Sequence, residues 1–242
     1  MKKHLSVLML MARSTINKLL GLLALMAAVE GALFWLTLRR SCADGSFSLK
    51  LVIGDSHISW AFGAAFLLMT LLLSLTGCEG KSRCGYTLRR LSVSERWVFI
   101  WQSVYNVLCY LLLWAVQILT VIALCRLYEV KAAPEYVSGQ TVFLAFYRSG
   151  FLHSLLPFEE TVFWVRNAVF AVTLGICAAR FPMAQRRGKR FTELIVLACG
   201  VLGLFSWEIG AFGNCFFAIV FALFCAGIAI CRALGVEVTY EA

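Results

Sequence analysis

Apolar stretches about as long as a bilayer crossing recur along this chain, separated by polar segments in which Lys and Arg collect at every second gap. The hydrocarbon core is about 30 Å thick and a helix rises about 1.5 Å per residue, so one crossing takes roughly 20 largely apolar residues. Six segments meet or approach that length: 16–38, 58–77, 97–127, 161–179, 191–207 and 214–231. None alternates with the period of a strand, so the pattern predicts an all-α polytopic membrane protein with six transmembrane helices rather than a β-barrel.

Local signals bound the elements. Ser92 and Glu95 have the S-x-x-E spacing of a capping box, which places the start of the third helix near Val93. The fourth span is expected to stop before Arg180 and Pro182, because proline disfavours further helix. Glu208 to Gly213 is a short glycine-containing connection suited to a helical hairpin. Residues 1–15 are expected to form an interfacial amphipathic helix on the cytoplasmic leaflet. Arg13 and Lys18 interrupt the apolar run Leu5 to Ala12 before any small-residue cleavage site, which argues against a signal peptide. The segment 128–160, with Phe143, Phe146, Phe151 and Leu155, is too apolar for a solvated loop and is expected to be a structured extracytoplasmic segment. Two forms are open for it: a short amphipathic or re-entrant element, or an interfacial anchoring helix.

Charge gives the orientation. Lys2, Lys3, Arg13 and Lys18 precede the first span; Lys81, Arg83, Arg89, Arg90 and Arg96 fall between the second and third. Arg180, Arg186, Arg187, Lys189 and Arg190 fall between the fourth and fifth. Cations in short loops stay cytoplasmic, so the alternation predicts cytoplasmic N and C termini. Composition agrees: the 242 residues are 61% hydrophobic and 14% charged, too apolar for a soluble globule. The net charge of +9 reflects this topology and contact with anionic lipids, and nucleic acid is not an expected partner.

Candidate chemistry is sparse. Ten cysteines are scattered without a C-x-x-C pair, so packing is the expected role and no metal site is expected. Gly80, Lys81 and Ser82 end like a phosphate-binding P-loop, but the glycine that should open it is Leu75. Glu159, Glu160 and Arg166 are similar to a motif of membrane-embedded proteases, yet their spacing is two residues off and His4, His57 and His153 lie outside the spans. Catalytic residues are therefore not expected. What remains is polar material inside the apolar segments, which is costly there and so informative. Glu30 lies past the middle of the first span. Gln102, Asn106 and Gln117 fall within about 60° of one another on the third helix, at about 100° per residue. Arg166 and Asn167 sit in the fourth span, where Arg166 is placed to neutralise Glu30 or an outer acid. These six residues either line a route for a polar or amphipathic substrate or bind helices together.

The run Gly85-Tyr86-Thr87-Leu88-Arg89-Arg90-Leu91-Ser92-Val93-Ser94-Glu95, leading into Trp97, resembles the cytoplasmic segment of type-2 ATP-binding-cassette permeases. The chain's size, basic N-terminal segment and six expected spans are similar to the same family. That resemblance implies a coupling loop over 78–96, in which Tyr86, Thr87, Leu88, Arg89, Arg90, Leu91, Ser92 and Ser94 contact a separate ATPase subunit. Leu88 and Leu91 would supply apolar contacts, and Arg89 and Arg90 charge. It further implies a permease subunit of an exporter in a bacterial cell membrane, paired with itself or a second permease, with ATP and Mg held by the partner chain and no cofactor bound here. In that family the outer re-entrant element usually lies between the fifth and sixth spans; here the elaborated segment precedes the fourth. The other function class is a non-transporting membrane scaffold or regulatory subunit.

Overall fold

A computed structural model describes residues 2–44, 48–75, 94–132, 138–157, 161–186, 192–206 and 212–234, and these are almost entirely α-helical. The helices are α1 (Lys2–Asp44), α2 (Leu49–Asp55), α3 (Ile58–Leu75), α4 (Glu95–Lys131), α5 (Thr141–Arg148), α6 (Gly150–Leu155), α7 (Thr161–Arg186), α8 (Glu193–Ser206) and α9 (Phe212–Leu234). Five of them, α1, α3, α4, α7 and α9, are long and apolar enough to cross a membrane. The chain is accordingly a multi-pass helical membrane protein. With 14 residues, α8 extends only about 21 Å.

Long apolar helices pack by side-chain contact and not by exclusion of water, since lipid tails are as apolar as leucine. Here α7 occupies the centre, between α4 and α9; α4 also packs along α1, and α1 along α3. Two apolar clusters result. The larger fills the bundle with residues such as Leu19, Met69, Leu113, Leu174, Leu197 and Ala222. The smaller lies at one end, where Phe34 and Leu38 of α1, Val52 of α2, and Val121 and Tyr128 of α4 enclose Phe146 of α5 and Leu152 and Leu155 of α6. The apolar segment before the fourth span is thus two short helices seated on the bundle end.

Three expected boundaries differ from those observed. A separate helix over residues 1–15 is not seen, because α1 runs unbroken from Lys2 to Asp44. No glycine or proline interrupts residues 2–20; Met11, Thr15 and Leu19 are buried, while Arg13 and Lys18 lie on the exposed side. The long third span helix begins at Glu95, two residues past Val93, with Ser94 as its extended N-cap at φ −63° and ψ 146°; Ser92 of the expected capping box lies outside the described residues. Finally, α7 does not stop at residue 179 but continues to Arg186 with Pro182 inside it. Proline removes the N–H that would bond the Ala178 carbonyl, at about 3 kcal/mol in an open helix. Burial of Ala178, Ala179, Arg180, Met183 and Ala184 in the centre of the bundle offsets that cost.

A tight connection joins α2 to α3. His57 adopts φ 53°, the left-handed conformation that ends a helix, and only Ser56 and His57 separate the two helices.

Candidate functional site

The six polar residues singled out within the spans are buried: Glu30 and Gln117 are 0% exposed and Arg166 1%. Gln102, Asn106 and Asn167 are buried too. The spacing on α4 that aligned Gln102, Asn106 and Gln117 therefore marks the helix's inward face. Their contacts, however, lead to different neighbours.

Gln117 Nε2 donates to Glu30 Oε2 at 3.1 Å, joining α4 to α1. The second oxygen of the carboxylate and the amide oxygen of Gln117 are buried with no hydrogen-bond donor. About three to four turns toward the other end, Thr15 and Tyr105 share a hydroxyl hydrogen bond. Beyond Glu30, Lys131 Nζ lies over the Trp35 ring, 5.8 Å from its centroid. These contacts fix α1 and α4 side by side in parallel.

Asn106 Nδ2 donates to the Gly175 carbonyl of α7 at 3.3 Å. This bond is possible because the helices nearly touch. A Cβ added at Gly175 would stand 2.5 Å from Val107 Cγ2 and 2.8 Å from the Val107 nitrogen. On the far side of α7, the Arg166 guanidinium donates twice to Asn167 Oδ1, at 3.3 and 3.0 Å, and reaches Cys215 Sγ of α9 at 3.9 Å. It also lies 4.9 Å from the Phe163 ring centroid. No ion pair joins Arg166 to Glu30, one of the two partners considered for it: Glu30 faces α4, whereas Arg166 is directed along α7 toward α9; of the outer acids, Glu159 and Glu160 lie outside the described residues.

Asn167 has a second role. Its Nδ2 donates to the Ser154 carbonyl at the end of α6, at 2.8 Å. Trp114 Nε1 of α4 donates to the Leu155 carbonyl at 2.9 Å, and Trp164 Nε1 of α7 to the Pro157 carbonyl at 2.6 Å. The last carbonyls of a helix have no intrahelical donor; Asn167 and Trp114 supply one to Ser154 and Leu155 of α6, and Trp164 supplies one to Pro157, just past its end. The two indoles meet edge to face, 5.4 Å apart. Nothing in the spacing of Trp114, Trp164 and Asn167 shows this common task, because their targets are backbone atoms; the usable signal was two tryptophans inside spans, each needing an N–H acceptor.

Next to this junction are two apolar crevices. One, about 50 Å³, is lined by Phe66, Tyr110, Trp114, Asn167 and Phe170 among others. The other, about 230 Å³, lies among Trp60, Gly63, Leu67, Phe151 and Leu202, and both share Phe62 and Leu202. No family model, curated protein or solved structure matches this chain. The site therefore stands on its own geometry. Among the described residues, no three His, Cys, Asp or Glu side chains come together as metal ligands. Tyr86, Thr87, Leu88, Arg89, Arg90, Leu91 and Ser92 lie outside the described residues; Ser94 caps α4 through its backbone, without a side-chain hydrogen bond to the helix.

Proposed function

We propose that the chain is the transmembrane permease subunit of an ATP-binding-cassette exporter in a bacterial cell membrane, with ATP and Mg bound by a separate ATPase subunit. The observation that carries this reading is α4. Its 37 residues form one helix of about 55 Å that begins at Glu95, within the basic segment 78–96, and ends among α2, α5 and α6. A push on that segment is delivered to the opposite end of the bundle without an intervening joint. In this reading α8 supplies the sixth crossing. Both termini and the segment 78–96 are cytoplasmic, by the distribution of Lys and Arg. The amides of Asn106, Gln117 and Asn167 are engaged between elements of the protomer, so the substrate route would form at the seam with a second permease, identical or homologous.

Purification in mild detergent tests the proposal. A P-loop ATPase without spans of its own is expected to co-purify, and charge reversal of Arg89 and Arg90 is expected to release it while membrane insertion persists. Transport that proceeds unchanged without ATP, with no associated ATPase, would sink the reading.

A second reading, a non-transporting scaffold or regulatory subunit, is favoured by a specific observation: Glu30–Gln117, Asn106–Gly175 and Asn167–Ser154 each join two elements and use intramembrane polarity as adhesive. Stable association with a membrane complex, without ATP-dependent transport by that complex, distinguishes it.

A further inference from the structure

A third cavity, about 190 Å³, lies at the end of the bundle occupied by α5 and α6, between the start of α2, the end of α4 and α5. Its character is unlike that of the crevices. Lys50 and Arg148 line it, with Ser48, Thr141 and the buried Tyr128. Among the described residues, neither the Lys50 nor the Arg148 side chain has a hydrogen-bond or ion-pair partner. Ser48 is the N-cap of α2 but makes no side-chain cap bond, so its hydroxyl is available. Thr141 Oγ1 accepts the Ser138 N–H at 2.8 Å and lies 3.1 Å from Ser138 Oγ; its own hydrogen is available to a ligand when the Ser138 hydroxyl is the donor of that second contact.

Two like charges held beside one concavity repel each other unless an anion lies between them. Two cations and two hydroxyls converging on one space suit a tetrahedral oxyanion with several acceptor oxygens, and arginine is suited to bidentate contact with phosphate. The volume is well beyond that of a single water. Position adds a further constraint. Trp35, Trp60 and Trp164 lie near the ends of α1, α3 and α7 at this same end and are partly exposed, as aromatic side chains are at the level where hydrocarbon meets headgroups. The cavity is thus placed where lipid phosphates reside.

We propose that this cavity binds a phosphate group, carried by an anionic lipid headgroup or free in solution, between Lys50 and Arg148. The full chain, purified in neutral detergent and stripped of lipid, is titrated with phosphatidylglycerol, with phosphatidylcholine and with inorganic phosphate. Bound species are counted by native mass spectrometry and stability is followed by thermal unfolding. Retention of phosphatidylglycerol in preference to phosphatidylcholine, whose choline cation the two side chains repel, identifies the lipid source; saturable binding of inorganic phosphate identifies the soluble one. The Lys50→Gln/Arg148→Gln variant is expected to bind about 30-fold more weakly, about fivefold for each cation near an anionic surface. Arg126→Gln, which removes an exposed cation of α4 that is not among those lining the cavity, is expected to bind as the wild type does. Binding of neither phosphate source, or unchanged affinity in the double variant, or an equal loss in Arg126→Gln, overturns the proposal. Should the double variant fail to fold, Arg148→Gln is compared with Arg148→Lys, which keeps the charge: a loss confined to Arg148→Gln supports the site, and equal affinities overturn it.

Discussion

The most exacting local arrangement is the carboxylate of Glu30 facing the amide of Gln117, with one hydrogen bond made and two buried oxygens left without a donor. Removing the acceptor leaves the Gln117 N–H groups unsatisfied, and an unsatisfied buried polar group costs about 1–3 kcal/mol. Glu30→Ala is therefore expected to lower unfolding free energy by about that amount. Glu30→Gln retains an acceptor for the Gln117 N–H and replaces the orphan carboxyl oxygen with an amide donor, so it should be at least as stable as the wild type. Thermal and denaturant unfolding of the purified variants checks the order, and an alanine variant as stable as the glutamine one would remove the structural role assigned to the pair. The six polar positions were legible in the sequence because an amide or charge inside a 20-residue apolar run is conspicuous. Their partners were not, because Gln117 meets a side chain on another helix, Asn106 a backbone carbonyl 69 residues away, and Asn167 one 13 residues away.

At the level of elements, the approach of α4 and α7 depends on the missing side chain of Gly175. Rotating Val107 clears only its methyl group; the Val107 nitrogen, 2.8 Å from an added Cβ, cannot move without its helix. Gly175→Ala is expected to separate the two helices, lengthen the Asn106 bond and destabilise the protein by about 1–3 kcal/mol. Val107→Ala should fail to rescue it, as a double-mutant cycle measured by unfolding will show. The number and approximate positions of the long helices were readable from hydropathy, since composition over 20 residues is a strong signal. Their ends were less so. Pro182 and Arg180 look like a stop, but burial against α4 and α9 outweighs the local penalty, and no local pattern distinguishes a helix that lies on a membrane from one like residues 2–15 that simply continues into a span.

For the molecule as a whole, the disposition of the termini turns on α8. If α8 crosses, an even number of spans puts both termini on one side; if it does not, five crossings put them on opposite sides. Fluorescent-protein and alkaline-phosphatase fusions at each terminus are expected to report both as cytoplasmic. A phosphatase-active C terminus with a fluorescent N terminus would instead establish five crossings. The order in which the ends of this fold can form follows from its carbonyl clamp. The donors to the Ser154 and Pro157 carbonyls, Asn167 and Trp164, belong to α7, which follows α6 in the chain. While the chain is still being synthesised, α6 emerges before the side chains that complete its hydrogen bonds exist, and bare carbonyls are costly to bury in an apolar setting. The seating of α5 and α6 must therefore wait for α7, and the arrival of one helix late in translation closes a part of the structure that was made before it.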